Sequence, residues 1–313
     1  MKTSRAHFHG FGGILIFCLA LSWPSFAEEE PYGLPETAPH QTYKLTLDVE
    51  STSGAPLEAR VQLYDEVGNS FWPEDPNALI YFGYTAHNYF YADGSVTADV
   101  PGGTVILAVS RGLEYASAVD TISVFCDTTL TIVLPELIDL RSQLWYSGDT
   151  HVHIDHGGAG DTYDVSPEDL ALMGRAEGLG IVCALSNGLH FSGLLHPAGI
   201  NDHHLYFGME YRSALFGHMG ILGLDTLLNQ GCCLPGDPPY PLNYDIGVDA
   251  HEQGAVVIAA HPETMDPDEF NNTSAAWPYS GFSRELAADV VLDAVDAIEL
   301  LSYSNFNNES VIT

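Results

Sequence analysis

A chain of 313 residues carries 42 Asp and Glu against 9 Lys and Arg, a formal charge of −33. A field of that sign repels nucleic acid and anionic membrane surfaces, which excludes both as partners. It also disfavours polyanionic substrates wherever metal ions do not offset it.

Residues 1–27 read as a secretory signal: Lys2 and Arg5, then the apolar run GGILIFCLALSW, then the small-x-small ending Ser25-Phe26-Ala27. The run is too short to span a bilayer comfortably. Cleavage after Ala27 is expected, an uncleaved anchor being the alternative, and the mature protein is expected to be secreted or periplasmic without stable membrane insertion. Residues 28–40 (EEEPYGLPETAPH) form an acidic, Pro-rich linker.

From residue 41 to 140 the text is a series of short alternating segments: YKLTLDVES, ARVQLYDE, SVTADVP, TVILAVS and TLTIVLP. They are separated by SGAP, VGNS, ADGS, PGG and CDT, which are turn signals. A small all-β sandwich is expected, with no reaction centre. Arg111, Glu114 and Tyr115 in RGLEY either make an interdomain polar contact or simply finish a strand and turn.

Residues 141–313 change rhythm. LWYSGDTHVHI is a strand running into histidines, and SPEDLALMGRAEGLG is a helix capped by Ser166 with Pro167 in its first turn. IVCALSN, HLYFGMEY, HMGILGL, AVVIAAHP and AIELL read as strands, and VDAHEQG and SRELAADVVLDA as helices. That alternation predicts a parallel α/β arrangement with functional residues at the carboxyl ends of the strands. Cys183 lies in the apolar run IVCAL and reads as a buried thiol; Cys232 and Cys233 are adjacent, and no cysteine spacing is that of a zinc knuckle.

Polar residues gather where these apolar strands end. His151 and His153 are two residues apart, so on a strand they point the same way and can reach one ion. Glu210 closes HLYFGMEY, His218 opens HMGILGL, His261 ends AVVIAAHP and Glu299 lies in AIELL. Burying so many imidazoles and carboxylates without partners is expensive, and a divalent cation satisfies them at once. Asp149 reads as a residue that orients one of the paired imidazoles.

WYSGDTHVHID, SPEDLALMGRAEGLGIVCALSN, GMEYRSALFGHMGILGL and VVIAAHPE, in that order, resemble the PHP superfamily of metal-dependent hydrolases, and within it the CehA/McbA type. The resemblance implies an α/β fold over residues 141–313: a distorted, possibly truncated β/α barrel behind the small β-sandwich. It implies two or three divalent metals (Zn, Mn or Fe), with His151 and His153 on one, Glu210 bridging, and His218 and His261 on the second. Asp161, or His156 in its place, would serve a third. The front module is similar to carboxypeptidase-regulatory-like sandwiches, on GAPLEARVQLYDEVGN and YADGSVTADVPGGTVILAVSRGLEY.

Two departures stand out. Asn187 and Gly188 occupy positions where the family usually has Asp-His, and the text stops at SNFNNESVIT without the family's closing aspartate, so a fragment or a degenerate domain is expected.

The function expected is that of an exported hydrolase acting on a small molecule. His151, His153, Glu210, His218 and His261 would hold the metals that activate water against a phosphoester, ester, carbamate or amide bond. His190 and His203 are candidate proton donors, and Arg175 and Arg212 are the basic residues near the motifs. The alternative is a non-catalytic exported binding or scaffold protein with a degenerate metal site. Neither G-x-S-x-G nor G-x-x-x-x-G-K-[ST] occurs, which argues against a serine hydrolase and a phosphate-loop NTPase.

Overall fold

The computed structural model describes residues 41–73, 75, 78, 80–81, 89–154, 165–185, 188–213, 216–228, 241–260 and 285–299. The expected leader and linker lie outside the described residues, as do His156, Asp161, Asn187, Cys232, Cys233 and His261. Among the described residues there are fourteen strands, three α-helices and one 3-10 turn. None of these helices is long and apolar enough to cross a membrane.

The first eight strands are β1 (Thr42–Ser51), β2 (Glu58–Tyr64), β3 (Ile80–Tyr81), β4 (Tyr89–Asp93), β5 (Ser95–Pro101), β6 (Gly103–Ser110), β7 (Ala118–Val124) and β8 (Thr128–Leu134). They bond in the order β7-β6-β2-β4-β5-β1-β8, with β3 added beside β4. Burial alternates along the strands: Leu45, Leu47 and Val49 of β1 are buried while Lys44 is exposed. Val61, Leu63, Phe90, Val105 and Leu107 join those three in one core, so the sheet packs its apolar face on itself in a sandwich-like manner. Each of these large side chains contributes roughly 2 kcal/mol by leaving water. β4 and β5 meet at Gly94, whose φ of +79° favours a residue without Cβ.

The second sheet has six strands: β9 (Gly148–Val152), β10 (Ile181–Leu185), β11 (His204–Ser213), β12 (Gly217–Leu222), β13 (Val256–Ala260) and β14 (Ala297–Ile298). Three helices accompany them: α1 (Pro167–Ala176), α2 (Asn243–Glu252) and α3 (Leu286–Val291). α1 starts as its sequence predicts. The Ser166 hydroxyl accepts from the Asp169 backbone N–H at 3.1 Å, the Asp169 carboxylate accepts from the Ser166 N–H at 3.2 Å, and Pro167 fills the first turn.

The expected β/α barrel is corrected by this sheet. Its order is β14-β13-β12-β11-β10-β9, and the pairings are mixed. β9–β10, β10–β11 and β13–β14 are parallel, but β12 runs antiparallel to both its neighbours. The physical reason lies in the β11–β12 connection. β11 ends at Ser213 and β12 begins at Gly217, and so short a link cannot hold the crossover helix that a parallel pair needs. With β1–β8 added, the described residues are dominated by strands, and an α/β barrel is not the fold they form.

α1 touches both sheets. Leu170 and Ala171 pack with Val182, Ala184, Leu205 and Phe207 of β10 and β11. On the other side Arg175 Nε donates to Glu58 Oε1 at 2.7 Å, and Arg111 Nη1 meets Glu58 Oε2 at 3.1 Å. Glu177 accepts from Tyr91 Oη at 3.2 Å and pairs with Arg60 at 3.4 Å. Arg111 meets Glu58 within its own sheet, while the polar contacts from that sheet to α1 and its C-terminal end are made by Glu58, Tyr91 and Arg60, residues that the sequence did not single out. Gly112, at φ +51°, lies so close to Glu177 that a Cβ there would run into its carbonyl oxygen.

Candidate metal site

β11 divides its side chains between two faces. Leu205, Phe207, Met209 and Tyr211 are all buried in cores shared with α1 or α2, so Glu210 and Arg212 point to the opposite face. β12 does the same: Met219 and Ile221 join the α2 core, leaving His218 and Gly220 on the face of Glu210. The ladder sets Arg212 opposite His218 and Glu210 opposite Gly220. On β9, Ile154 just past the strand end enters the α1 core, which turns His151 and His153 to the other side. The β9–β10 register slips between Val182 and Ala184, a bulge in the stretch of β9 that contains His151. Bulges of this kind re-aim a side chain.

The result is a tight cluster. His151 Nε2 and His153 Nε2 are 3.1 Å apart. Glu210 Oε2 lies 3.1 Å from His153 Nε2 and 3.7 Å from His151 Nε2. One ligand atom from each of the three residues falls within 4.8 Å of the others, so the group can hold a metal ion. His218 Nδ1 sits 2.9 Å from the second oxygen, Glu210 Oε1. Arg212 donates to Oε2 from both Nε and Nη2 at 2.7 Å. Glu210 is 2% exposed, and a carboxylate buried to that degree needs this surrounding positive charge.

His151 also meets a residue from the far edge of the sheet. Its Nδ1 is 3.3 Å from Glu299 Oε2. β9 and β14 are the two edge strands, five steps apart, and in a flat sheet they would be separated by roughly 24 Å at about 4.8 Å per step. Contact between their side chains therefore requires a strongly curled sheet with the cluster on its concave face. Gly208 and Gly220 help here: a Cβ at Gly208 would strike the Ile221 carbonyl, and one at Gly220 would press on Leu185. Burial alone lowers the His151 pKa, but Glu210 and Glu299 outweigh it and raise it to about 9.

Of the predicted site residues, the structure brings together His151, His153, Glu210 and His218, while Asp161 and His261 lie outside the described residues. Asp149 does not orient an imidazole; its Oδ1 accepts from the backbone N–H of His151 at 3.0 Å. His190 packs against Phe207, on the helix side of β11 and away from Glu210. His203 Nδ1 bonds the Leu179 carbonyl, and Arg175 belongs to the contact with Glu58. Arg212, in the sequence a basic residue near the motifs, binds Glu210 directly. Glu299, one of the polar residues at the ends of apolar strands, meets His151. Cys183 is a buried free thiol whose pKa burial pushes up to about 12.

No protein-family model matches the chain, and no curated protein matches it. Solved structures with partial likeness include a minor pilin of Streptococcus agalactiae, 17% identical, covering 31% of this chain and 46% of that one, with a TM-score of 0.24. A DUF3823 family protein from Parabacteroides merdae is 16% identical over 30% of this chain and 46% of its own, at a TM-score of 0.21. The C-terminal domain of a shaft pilin from Lactobacillus rhamnosus GG is 14% identical over 31% of this chain and 98% of its own, at a TM-score of 0.22. This chain thus spans under half the length of the first two. Likeness at these scores carries no argument about fold or function.

Proposed function

We propose that this protein is an exported metal-dependent hydrolase acting on a small molecule, in keeping with the resemblance of its histidine motifs to the PHP superfamily. The observation that carries the reading is the convergence of His151, His153 and His218 on the two oxygens of one buried carboxylate, Glu210. His151 and His153 would hold one divalent cation with Oε2, and His218 a second with Oε1, so that Glu210 bridges. His261 and Asp161 complete the set that the sequence suggests. Imidazole donors of this number suit Zn, Mn or Fe better than Mg.

Divalent cations held there would supply Lewis acidity, making water more acidic and stabilising charge on a reacting oxygen. The protein's own residues do the rest. The bulge in β9 aims the paired imidazoles, and β11 and β12 hold Glu210 and His218 on one concave face. Arg212, with 36% of its side chain exposed, sets a positive charge at the solvent side of Glu210. In a chain of this net charge, that guanidinium and the cations are what would hold a substrate oxygen against the general negative field. The bond cleaved is a phosphoester, ester, carbamate or amide.

The test is to purify the protein, supply Zn or Mn, remove excess metal and assay aryl phosphates and aryl esters. Retained metal with turnover that is lost in the His151→Ala/His153→Ala variant is expected. Retained metal without turnover on any such substrate would turn the reading toward a binding or scaffold protein.

A further inference from the structure

Both ring nitrogens of His151 have partners, on opposite sides of the ring. Nε2 faces His153 Nε2 at 3.1 Å and Glu210 Oε2 at 3.7 Å, while Nδ1 faces Glu299 Oε2 at 3.3 Å. An imidazole that coordinates through one nitrogen carries its proton on the other, and the partner of that second nitrogen decides which tautomer forms. Asp149 meets the His151 backbone N–H and not its ring. Glu299 is well placed to be that partner. Its backbone N–H bonds Ala259 O at 3.0 Å, which ties it to β13, and its side chain is 15% exposed. Its carboxylate is not part of the group of ligand atoms lying within 4.8 Å of one another, so it stands behind the ring and not beside the ion position.

We propose that Glu299 is a positioning residue of the metal site: it accepts the Nδ1 proton of His151 and so fixes the tautomer that offers Nε2 to the cation shared with His153 and Glu210. This rests on the metal-site reading above and adds a function for the edge strand β14. The carboxylate makes the imidazole a better donor, and it ties the ring's orientation to the curl of the sheet, since His151 and Glu299 come from opposite edges. Removing such a partner typically weakens metal binding about 10- to 100-fold.

The experiment measures Zn²⁺ affinity of the full chain by competition with a chromogenic chelator. Long-range ¹H–¹⁵N spectra of the histidines, with His151→Ala as the assignment control, read the tautomer. Wild type is compared with Glu299→Ala and Glu299→Gln. The proposal expects Glu299→Ala to lose about 10- to 100-fold in affinity and its His151 signal to leave the Nδ1–H tautomer. Glu299→Gln, which keeps a carbonyl acceptor of the same size, should recover part of both. If Glu299→Ala fails to fold, Glu299→Leu, which fills the space without offering an acceptor, decides: a wild-type affinity and an unchanged tautomer in the Ala or Leu variant would overturn the role of Glu299 and leave the metal site standing. A wild-type chain that binds Zn²⁺ no better than His151→Ala/His153→Ala would instead defeat the metal-site reading, and this proposal with it.

Discussion

Glu210 is the residue on which the site turns. Its carboxylate is buried among three imidazoles and a guanidinium, and truncation would leave these groups without their common partner. We expect Glu210→Ala to lose metal retention and to cost about 1–3 kcal/mol in stability, the usual penalty for leaving partly buried hydrogen-bonding groups without their partner. Chemical denaturation and metal analysis would check the two effects separately. His203→Ala, by contrast, should retain wild-type metal content, because that ring bonds the Leu179 carbonyl and not the cluster; reduced metal in that variant would contradict the placement. The difference between these histidines is partly legible in the sequence. His151 and His153 follow from the period of two along a strand, and Glu210 and His218 from their places at strand ends. Asp149 shares its i−2 spacing with an orienting residue, yet its short side chain finds a backbone N–H first, a local competition that no spacing rule anticipates.

At the scale of elements, α1 ties the two sheets together through Glu58. Desolvation alone would raise the Glu58 pKa, but its backbone bond and the Arg175 and Arg111 guanidiniums outweigh it, and the pKa falls below the ordinary 4.5. A depressed carboxylate contributes stability that is present above pH 4.5 and lost as pH falls through the lower folded value. Thermal unfolding of wild type should therefore show a stability loss on acidification below that pH, and Glu58→Gln should show less of it while starting lower at pH 7. An acid limb of the same size in both proteins would contradict the contact. Ser166→Ala, which removes one half of the α1 capping box, should cost about 1 kcal/mol. This helix was legible because capping is local chemistry written in adjacent residues. The antiparallel β12 was not: strand and helix periods reveal each element, while direction depends on whether a connection can cross over. The link between Ser213 and Gly217 answers that only once both strand ends are known.

For the whole molecule, a curled six-stranded sheet brings residues from β9, β11, β12 and the end of β14 to one concave face. Curvature of this degree is a property of the entire sheet, along which Gly208 and Gly220 permit close approach of neighbouring groups. That is why the meeting of His151 and Glu299 across 148 positions could not be read from the chain, whereas the list of polar residues at strand ends could. A cation that binds only the folded cluster should raise the midpoint of thermal unfolding in proportion to the logarithm of its concentration, and a chelator should reverse the shift. The most direct test of the account is metal analysis of the purified full chain after loading with Zn or Mn and removal of excess. The account predicts at least one ion per chain in wild type and a loss of retained metal in His151→Ala/His153→Ala. A wild-type chain that keeps no more metal than this variant would contradict it.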